Sequence, residues 1–259
     1  MDKDTIDRLR RLNNAFYREQ AESFSATRQE GWDGWQRCLE FLPQQQQRKQ
    51  LSVFDLACGN LRFAEFLAKG LPGVAIDYYG VDNCDELVPE DGASEAVKTL
   101  RVNYQSLDVL ELLQQDKGDG SDQLEAPPCD LSVAFGFMHH IPTQAYRSRV
   151  LQVLLQQTRP GGHIIVSFWQ FMKNASLAAK ARISDGRAHK ELGFPPLEEG
   201  DYLLDWQNKP GAYRYCHSFS DAEIDQLAEA TSPAAEVIAR FNADGRSGDL
   251  NRYLILRVI

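Results

Sequence analysis

Three acids, Asp55, Asp82 and Asp108, each fall at the end of an apolar run that reads as a β-strand. The first closes "LSVFDL" and is followed by a turn of small residues, Ala57-Cys58-Gly59-Asn60. Beyond the turn, Leu61, Phe63, Ala64, Phe66, Leu67 and Ala68 recur at helical spacing. A strand, a tight turn and a helix within one such stretch open a Rossmann-like βα unit. The turn lacks two of the three glycines of GxGxxG. Its small residues let backbone approach a ligand closely, and an acid just before it suits a cationic or amine-bearing ligand better than a pyrophosphate. Asp82, ending "YYGVD", is placed to accept from both hydroxyls of a ribose, and Asp108 from an adenine amino group. One such aspartate is most often a helix cap or a solvated loop residue. Three in register at the carboxyl ends of successive strands mark the edge where open α/β sheets bind ligands.

The elements that must position these acids are legible in outline. The first 40 residues read as amphipathic helix, with Leu9, Leu12, Phe16, Leu39, Phe41 and Leu42 as apolar positions, and "PQQQQRK" as a polar connector. "VAIDYYGVDNC" and "TLRVNYQSLDVLEL" carry the second and third strands, and "DKGDGSDQLEAPP" is a surface loop. "CDLSVAFGFMHHI" carries the fourth strand, "YRSRVLQVLLQQT" a helix, "RPGG" a turn, "HIIVSFW" the fifth strand and "RYLILRVI" a terminal strand. The alternation predicts an α/β fold, a doubly wound, mostly parallel sheet with helices on both faces. Residues 171–219 break the rhythm, being rich in Pro, Gly and charge, and read as a small lid or insertion. The expected organisation is a helical cap over residues 1–50 and a ligand-binding domain over 51–259.

"DLACGN", "GVDNC", "LDVLEL", "FMHHIPT" and "RPGGHIIVSFW" resemble the successive motifs of class I methyltransferases dependent on S-adenosylmethionine (SAM). SAM has the character the first turn suggests: a sulfonium, an α-amino group and no phosphate. Ala57 and Leu61 depart from the family, many members of which have glycine there; Leu61 implies a slightly different packing of the first helix. The resemblance implies that Ala57, Cys58, Gly59, Asn60, Asn83, Val109, Gly136 and Phe137 join Asp55, Asp82 and Asp108 around the cofactor. The flanks are more specific. "FYREQAESFSATRQEGWDGW", "DYLLDW" and "AYRYCHSFSDAEI" look like the methyltransferases that esterify the carboxymethyl group on the wobble uridine of tRNA, and the likeness runs from about Asn13 to about Val258. No appended oxygenase or RNA-recognition domain like those of eukaryotic members is expected from these 259 residues.

In those flanks Arg28 is suited to pair with the carboxylate of SAM, while Tyr17 and Trp32 wall the site from water. The residues alone equally fit a surface arginine beside core tryptophans. Arg214 and His217, in "RYCH", bring polar groups able to orient an acceptor carboxylate or meet a phosphate; an edge strand with alternating faces fits them as well. His139 and His140 follow the fourth strand. His140 is the candidate contact to substrate or SAM, and the base if the acceptor is an amine or phenol; His139 reads as a buried structural residue. A carboxylate acceptor is already ionised at neutral pH and needs no base, consistent with the lack of a Ser/His/Asp or paired-carboxylate constellation.

With 259 residues, 43% hydrophobic and 25% charged, the chain has the composition of an ordinary globular protein. It shows no signal-peptide pattern and no membrane span. Its five scattered cysteines form no CxxC or Cys/His cluster, so no metal site is expected and the reading is of reduced thiols in the cytoplasm. The net charge of −9 argues against a non-specific nucleic-acid binder. The acidity sits in residues 51–169, with 8 basic and 16 acidic side chains, so a local basic face built from the flanks stays open, with Arg182, Arg187, Lys190, Lys209, Arg214, Arg246 and Arg252 as candidates. Three functions remain at this point: a methyltransferase acting on tRNA or another carboxylate, a small-molecule O- or N-methyltransferase, and a non-catalytic SAM-binding subunit. An activating protein partner is compatible with each.

Overall fold

The computed structural model describes residues 1–27, 30–42, 49–88, 94–115, 123–207 and 209–259. Arg28 and most of the glutamine-rich connector lie outside the described residues. The N-terminal segment forms α1 (Lys3–Ala26) and α2 (Asp33–Cys38), with Asp2 capping α1 by accepting from the Thr5 amide.

Five strands follow in parallel: β1 (Gln50–Leu56), β2 (Ala75–Asp82), β3 (Arg101–Ser106), β4 (Cys129–Ala134) and β5 (Thr158–Trp169). The helices α3 (Arg62–Gly70), α4 (Val109–Gln114) and α5 (Gln144–Gln156) lie between them in the chain. The sheet is completed by β8 (Ala235–Ala243) and β9 (Asn251–Val258) in the order β3-β2-β1-β4-β5-β9-β8. β9 runs antiparallel to both β5 and β8. The chain winds outward from β1 to β3 and returns to place β4 beside β1, so the topological switch, and the crevice it opens, lies at the carboxyl ends of β1 and β4.

Each face of the sheet buries one core. Val109, Leu113, Val150, Leu151, Leu154, Ile224 and Leu227 bring α4, α5 and α7 (Asp221–Glu229) onto one side. Trp35, Cys38, Phe63, Ala64 and Leu67 bring α2 and α3 onto the other. Central strands are apolar on both faces, as parallel strands covered by helices must be; all six residues of β4 are buried.

One expectation needs correction. "RPGG" is not a turn but part of β5, where Arg159–Gly162 carry a register shift against β4. Gly162 is needed there, because a Cβ would stand 2.9 Å from the Asp130 carbonyl oxygen. Residues 171–219 hold regular structure: α6 (Ala175–Leu192) and an antiparallel hairpin of β6 (Asp201–Trp206) and β7 (Lys209–His217).

The turn after β1 is held by Val81, whose carbonyl accepts from the amides of Ala57 (2.7 Å) and Cys58 (3.1 Å). Ala57 (φ 66°) and Leu61 (φ 60°) both occupy the left-handed region. These are the two positions where the resembled family has glycine, so the backbone conformation is kept at a cost of about 1–2 kcal/mol per residue. Ala57→Gly should therefore hold or raise stability, by up to about 1 kcal/mol after glycine's greater loss of entropy. Ala57→Val should lower it by more than about 1 kcal/mol. Denaturant midpoints of the two variants check this, and a tolerated valine would contradict it.

Candidate active site

A cavity of about 800 Å³ opens at the switch point, walled by the turn after β1, the ends of β2 and β4, the start of α4, and α1. Tyr17, Trp32, Asp55, Ala57, Cys58, Gly59, Asn60, Asp82, Asn83, Asp108, Val109, Gly136, Phe137, His140 and Arg214 all line it. His217 does not.

The three acids are not equivalent. Asp55 is buried at the cavity wall, with the Tyr78 hydroxyl donating to its Oδ2. Burial outweighs that bond, and with Asp82 nearby the Asp55 carboxyl is pushed up to about 7. Asp82 accepts the Gly59 amide on Oδ2 (2.8 Å) and the Cys84 amide on Oδ1 (3.0 Å). Burial raises it too, against the pull of those amides. Each oxygen keeps a second lone pair for a ligand hydroxyl. Asp108 has the capping role that its position at a helix start allows: it caps α4 through Oδ1, and its Oδ2 accepts from Arg10 Nη1 (2.9 Å) and Asn14 Nδ2 (2.8 Å). Cys58 packs against Gly80, where a Cβ would lie 2.8 Å from its sulfur, and burial raises its thiol well above the ordinary value.

α1 contributes a whole face that the sequence reading missed apart from Tyr17. Arg10, Asn13, Asn14 and Tyr17 recur at helical spacing and all line the cavity. That 10-13-14-17 polar seam, flanking the Leu9 and Phe16 stripe, was the available signal. Asn13 pairs with the Tyr215 backbone both ways, accepting its amide (2.7 Å) and donating to its carbonyl (3.3 Å). Asn14 also accepts from Asn83 Nδ2 (2.8 Å).

At the other end of the cavity the side chains form a hydrogen-bonded chain. His140 Nδ1 lies 2.9 Å from the Tyr215 carbonyl oxygen, which can only accept, and 3.2 Å from Asn13 Nδ2, which can only donate. Nε2 lies 2.7 Å from the Tyr17 hydroxyl, whose oxygen accepts from Arg214 Nη1 (3.2 Å). Arg214 is 6% exposed. Its guanidinium sits among the rings of Phe16, Trp206 and Trp169 at 5.2, 5.3 and 5.8 Å. Its Nε has no partner, and no described carboxylate forms an ion pair with it. His139, expected to be structural, is buried against Trp169 and also reaches the cavity. The fold brings His139, His140 and Cys216 together, with ligand-type atoms within 4.8 Å, although their sequence spacing shows no metal pattern. The hydrogen bonds at both His140 nitrogens already occupy that ring.

His217 is corrected from a substrate contact to a structural residue. Side chains alternate along a strand, so Arg214 and His217, three apart on β7, face opposite sides. His217 is buried between Asp201 (Nδ1 to Oδ1, 2.7 Å) and Glu223 (Nε2 to Oε1, 2.9 Å). Glu223 in turn completes the capping box of α7 with Ser220.

No family model matches the chain. A protein of Encephalitozoon cuniculi that bears the name of a methyltransferase is 26% identical over 209 residues, 81% of this chain and 80% of the relative. The tRNA (carboxymethyluridine(34)-5-O)-methyltransferase ALKBH8 of Mus musculus is 27% identical over 169 residues, 64% of this chain; the match spans 21% of that longer protein. Among solved structures, a SAM-dependent methyltransferase of Methanosarcina mazei superposes with TM-score 0.55 at 15% identity, covering 86% of this chain and 97% of that one. One from Clostridium acetobutylicum gives 0.52 at 10% identity, over 86% and 88%. The fold is the Rossmann-like fold of class I methyltransferases.

Burial alone would raise the Glu223 carboxyl, but His217 and the amide and hydroxyl of Ser220 overcome it and hold it at about 2. The stabilisation from a depressed carboxyl is complete above its ordinary value of 4.5 and is lost as pH falls toward 2. His217→Ala should destabilise the fold by about 1–3 kcal/mol, since it removes one buried partner of Asp201, which keeps Arg147 and the Tyr215 hydroxyl, and the partner of Glu223. Denaturation series of both proteins should show the gap narrowing as pH falls through this window; a pH-independent gap contradicts the assignment.

Proposed function

We propose that the chain is a SAM-dependent methyltransferase that esterifies a carboxylate seated on Arg214. The buried guanidinium of Arg214, aimed into the cavity without a carboxylate partner, carries this reading. A buried cation is stable when an anion meets it, and a planar fork suits a carboxylate. The cavity also fits the cofactor: Asp82 for the ribose hydroxyls, Asp55 for an ammonium, and a turn closely approached by backbone.

When bound, the cofactor supplies a methyl group on a sulfonium. The chain's residues then have little proton transfer to do. Arg214 holds the ionised acceptor in line, and Tyr17, ordered by His140, fixes the guanidinium. Phe137 and Trp169 keep water from the nucleophile, so positioning and desolvation do the catalysis. With both nitrogens of His140 engaged, it serves as a positioning residue and not as a base. Residues 1–50 cap the cofactor in this reading, and 171–219 form the lid at the acceptor end.

The carboxymethyl group of a modified tRNA wobble uridine is the favoured acceptor. It is supported by the flanking motifs and by the partial similarity to the mouse enzyme. A small-molecule O- or N-methyltransferase is the second reading, favoured by the charge of −9. Of the candidate phosphate contacts, Arg187 is tied to Asp205 and Arg252 to Asn242, while Arg182, Lys190 and Arg246 stay exposed. No described helix is long and apolar enough to cross a membrane.

Methyl-labelled SAM supplied with tRNA carrying carboxymethyluridine should give base-labile label in the tRNA. Label only in a small-metabolite pool would move the acceptor to the second reading. SAM binding without transfer to either would favour a non-catalytic or partner-dependent subunit. Arg214→Met should leave the SAM dissociation constant within about twofold and lower kcat/KM by about 10²–10³-fold; loss of SAM binding instead would put Arg214 in the cofactor site. A cationic ligand favours ionised Asp55, so below about 7 its binding must release a proton. SAM affinity should rise by up to about tenfold per pH unit toward pH 7 and then level off. Calorimetry in buffers of different ionisation heat checks the proton, and Asp55→Asn should abolish the slope.

A further inference from the structure

The outer face of α6 carries positive charge that the rest of the chain does not answer. The helix holds two acids and four lysine or arginine residues. Both acids turn inward to the β6–β7 hairpin, Asp185 Oδ1 accepting from the Leu203 amide (2.9 Å) and Glu191 from the Tyr213 hydroxyl (2.9 Å). Arg187 is tied to Asp205. Lys180, Arg182 and Lys190 are exposed, and none of them forms an ion pair with a described carboxylate. Ala179, Ile183 and Gly186 share the side of the helix that lies between Lys180 and Arg182. Ile183 is 71% exposed, more than any other large apolar side chain in a described helix or strand. Gly186 stands in mid-helix, where glycine weakens the helix, and a Cβ there would meet nothing within 4 Å. Packing among the described residues therefore calls for neither the isoleucine nor the glycine.

We propose that this face of α6 docks the sugar–phosphate backbone of an RNA substrate, with Lys180, Arg182 and Lys190 meeting phosphates and Gly186 letting the strand come close. This deepens the RNA reading above and rests on it. Phosphate contacts of this kind fix position and register and carry no sequence information. The charge complement is local: the chain as a whole is at −9, yet this face has three cations and no acid. Ten residues separate Lys180 from Lys190, about 15 Å along the helix axis, so several contacts fit along one strand.

Other occupants match the face less well. Protein interfaces centre on aromatic and methionine side chains and are poor in lysine. A helix lying on a membrane needs a broad apolar face, and here one isoleucine stands among cations and small residues. The placement also suits a long substrate. On the inner side of α6, the Ser184 hydroxyl donates to the Leu203 carbonyl (2.9 Å) and accepts from the Asp205 amide (2.7 Å), which fastens the helix to β6. In β6 the next residue, Leu204, pairs with Arg214 on β7. RNA held on α6 is thus held by the layer that backs the acceptor seat. The face points away from the hairpin, so it grips a part of the RNA remote from the reacting nucleotide.

Fluorescence anisotropy with a labelled, unmodified tRNA transcript, repeated over a salt series, reads this contact. Changing Lys180, Arg182 and Lys190 together to Gln should weaken binding about 10–100-fold and lower the slope of log affinity against log salt by about 2–3. A control with the same loss of charge changes Lys69, Lys98 and Arg257 to Gln, each exposed and paired with an acid of its own, and should stay within about twofold of wild type. Gly186→Leu has room in the fold and should raise the melting temperature, yet weaken tRNA binding about fivefold or more. With tRNA carrying carboxymethyluridine, the α6 triple variant should raise KM and keep kcat within about twofold. Equal weakening by the α6 variant and the control would overturn the proposal and leave the tRNA reading standing. Wild type without measurable affinity for tRNA would overturn both. Polyglutamate or anionic phosphatidylserine vesicles binding more tightly than tRNA, with the same loss in the α6 variant, would overturn it in favour of an acidic protein or a membrane surface.

Discussion

The hydrogen bond from the Gly59 amide to the Asp82 carboxylate ties the turn after β1 to the end of β2, and the cavity depends on it. Together with the Val81 carbonyl, which takes the two preceding amides, it fixes the bend that leaves Ala57 and Leu61 in the left-handed region. That bend sets where Asp55 ends, where α3 begins and how close backbone comes to a ligand. Parallel pairing of β1 with β2 and β4 makes the arrangement possible, because it brings three strand ends to one edge. A carboxylate that both holds the turn and faces the cavity couples the order of the site to the integrity of the sheet.

The acids and the turn were legible because strand periodicity and small residues are local signals. Asp55, Asp82 and Asp108 each ended a readable apolar run, and the structure puts all three on one cavity wall. What the acids do was less legible. Asp108 is shared among a helix cap, Arg10 and Asn14, and no local pattern shows that α1, nearly a hundred residues earlier in the chain, supplies two of those partners. The place of His217 is hidden in the sequence for a simpler reason. Proximity to Arg214 in the chain does not give proximity in space, because the two-residue repeat of a strand turns them to opposite faces. β5 was cut short because Pro and Gly in "RPGG" are turn formers; the bulged pairing with β4 uses them within the strand instead. β8 carries polar residues between its apolar ones and lies at the sheet edge, where the hydrophobic pattern is weakest.

Charge is arranged by position and not by total. The protein is acidic overall, yet the cavity presents two guanidinium groups, of Arg62 and Arg214, that form no ion pair with a described carboxylate. Both are held against indole rings, which shield a cation from water without quenching it. The ionic cluster on the far side of β7, with Arg147, Asp201, His217 and Glu223, is matched internally and braces the strand that carries Arg214. Tyr215 joins the two sides: its hydroxyl donates to Asp201, and its carbonyl orients His140.

The position of β9 has a consequence for synthesis. β9 follows β8 in the chain but lies between β8 and β5 in the sheet. During translation β8 is made first and has no neighbour to join until β9 has emerged. The five parallel strands can assemble as a unit while β8 waits, so the cavity wall formed by Asp244 and Asn251 is completed last. An emerging chain thus carries the cofactor turn well before it carries a closed pocket, and premature capture of ligand by the nascent protein is disfavoured by the order of its strands.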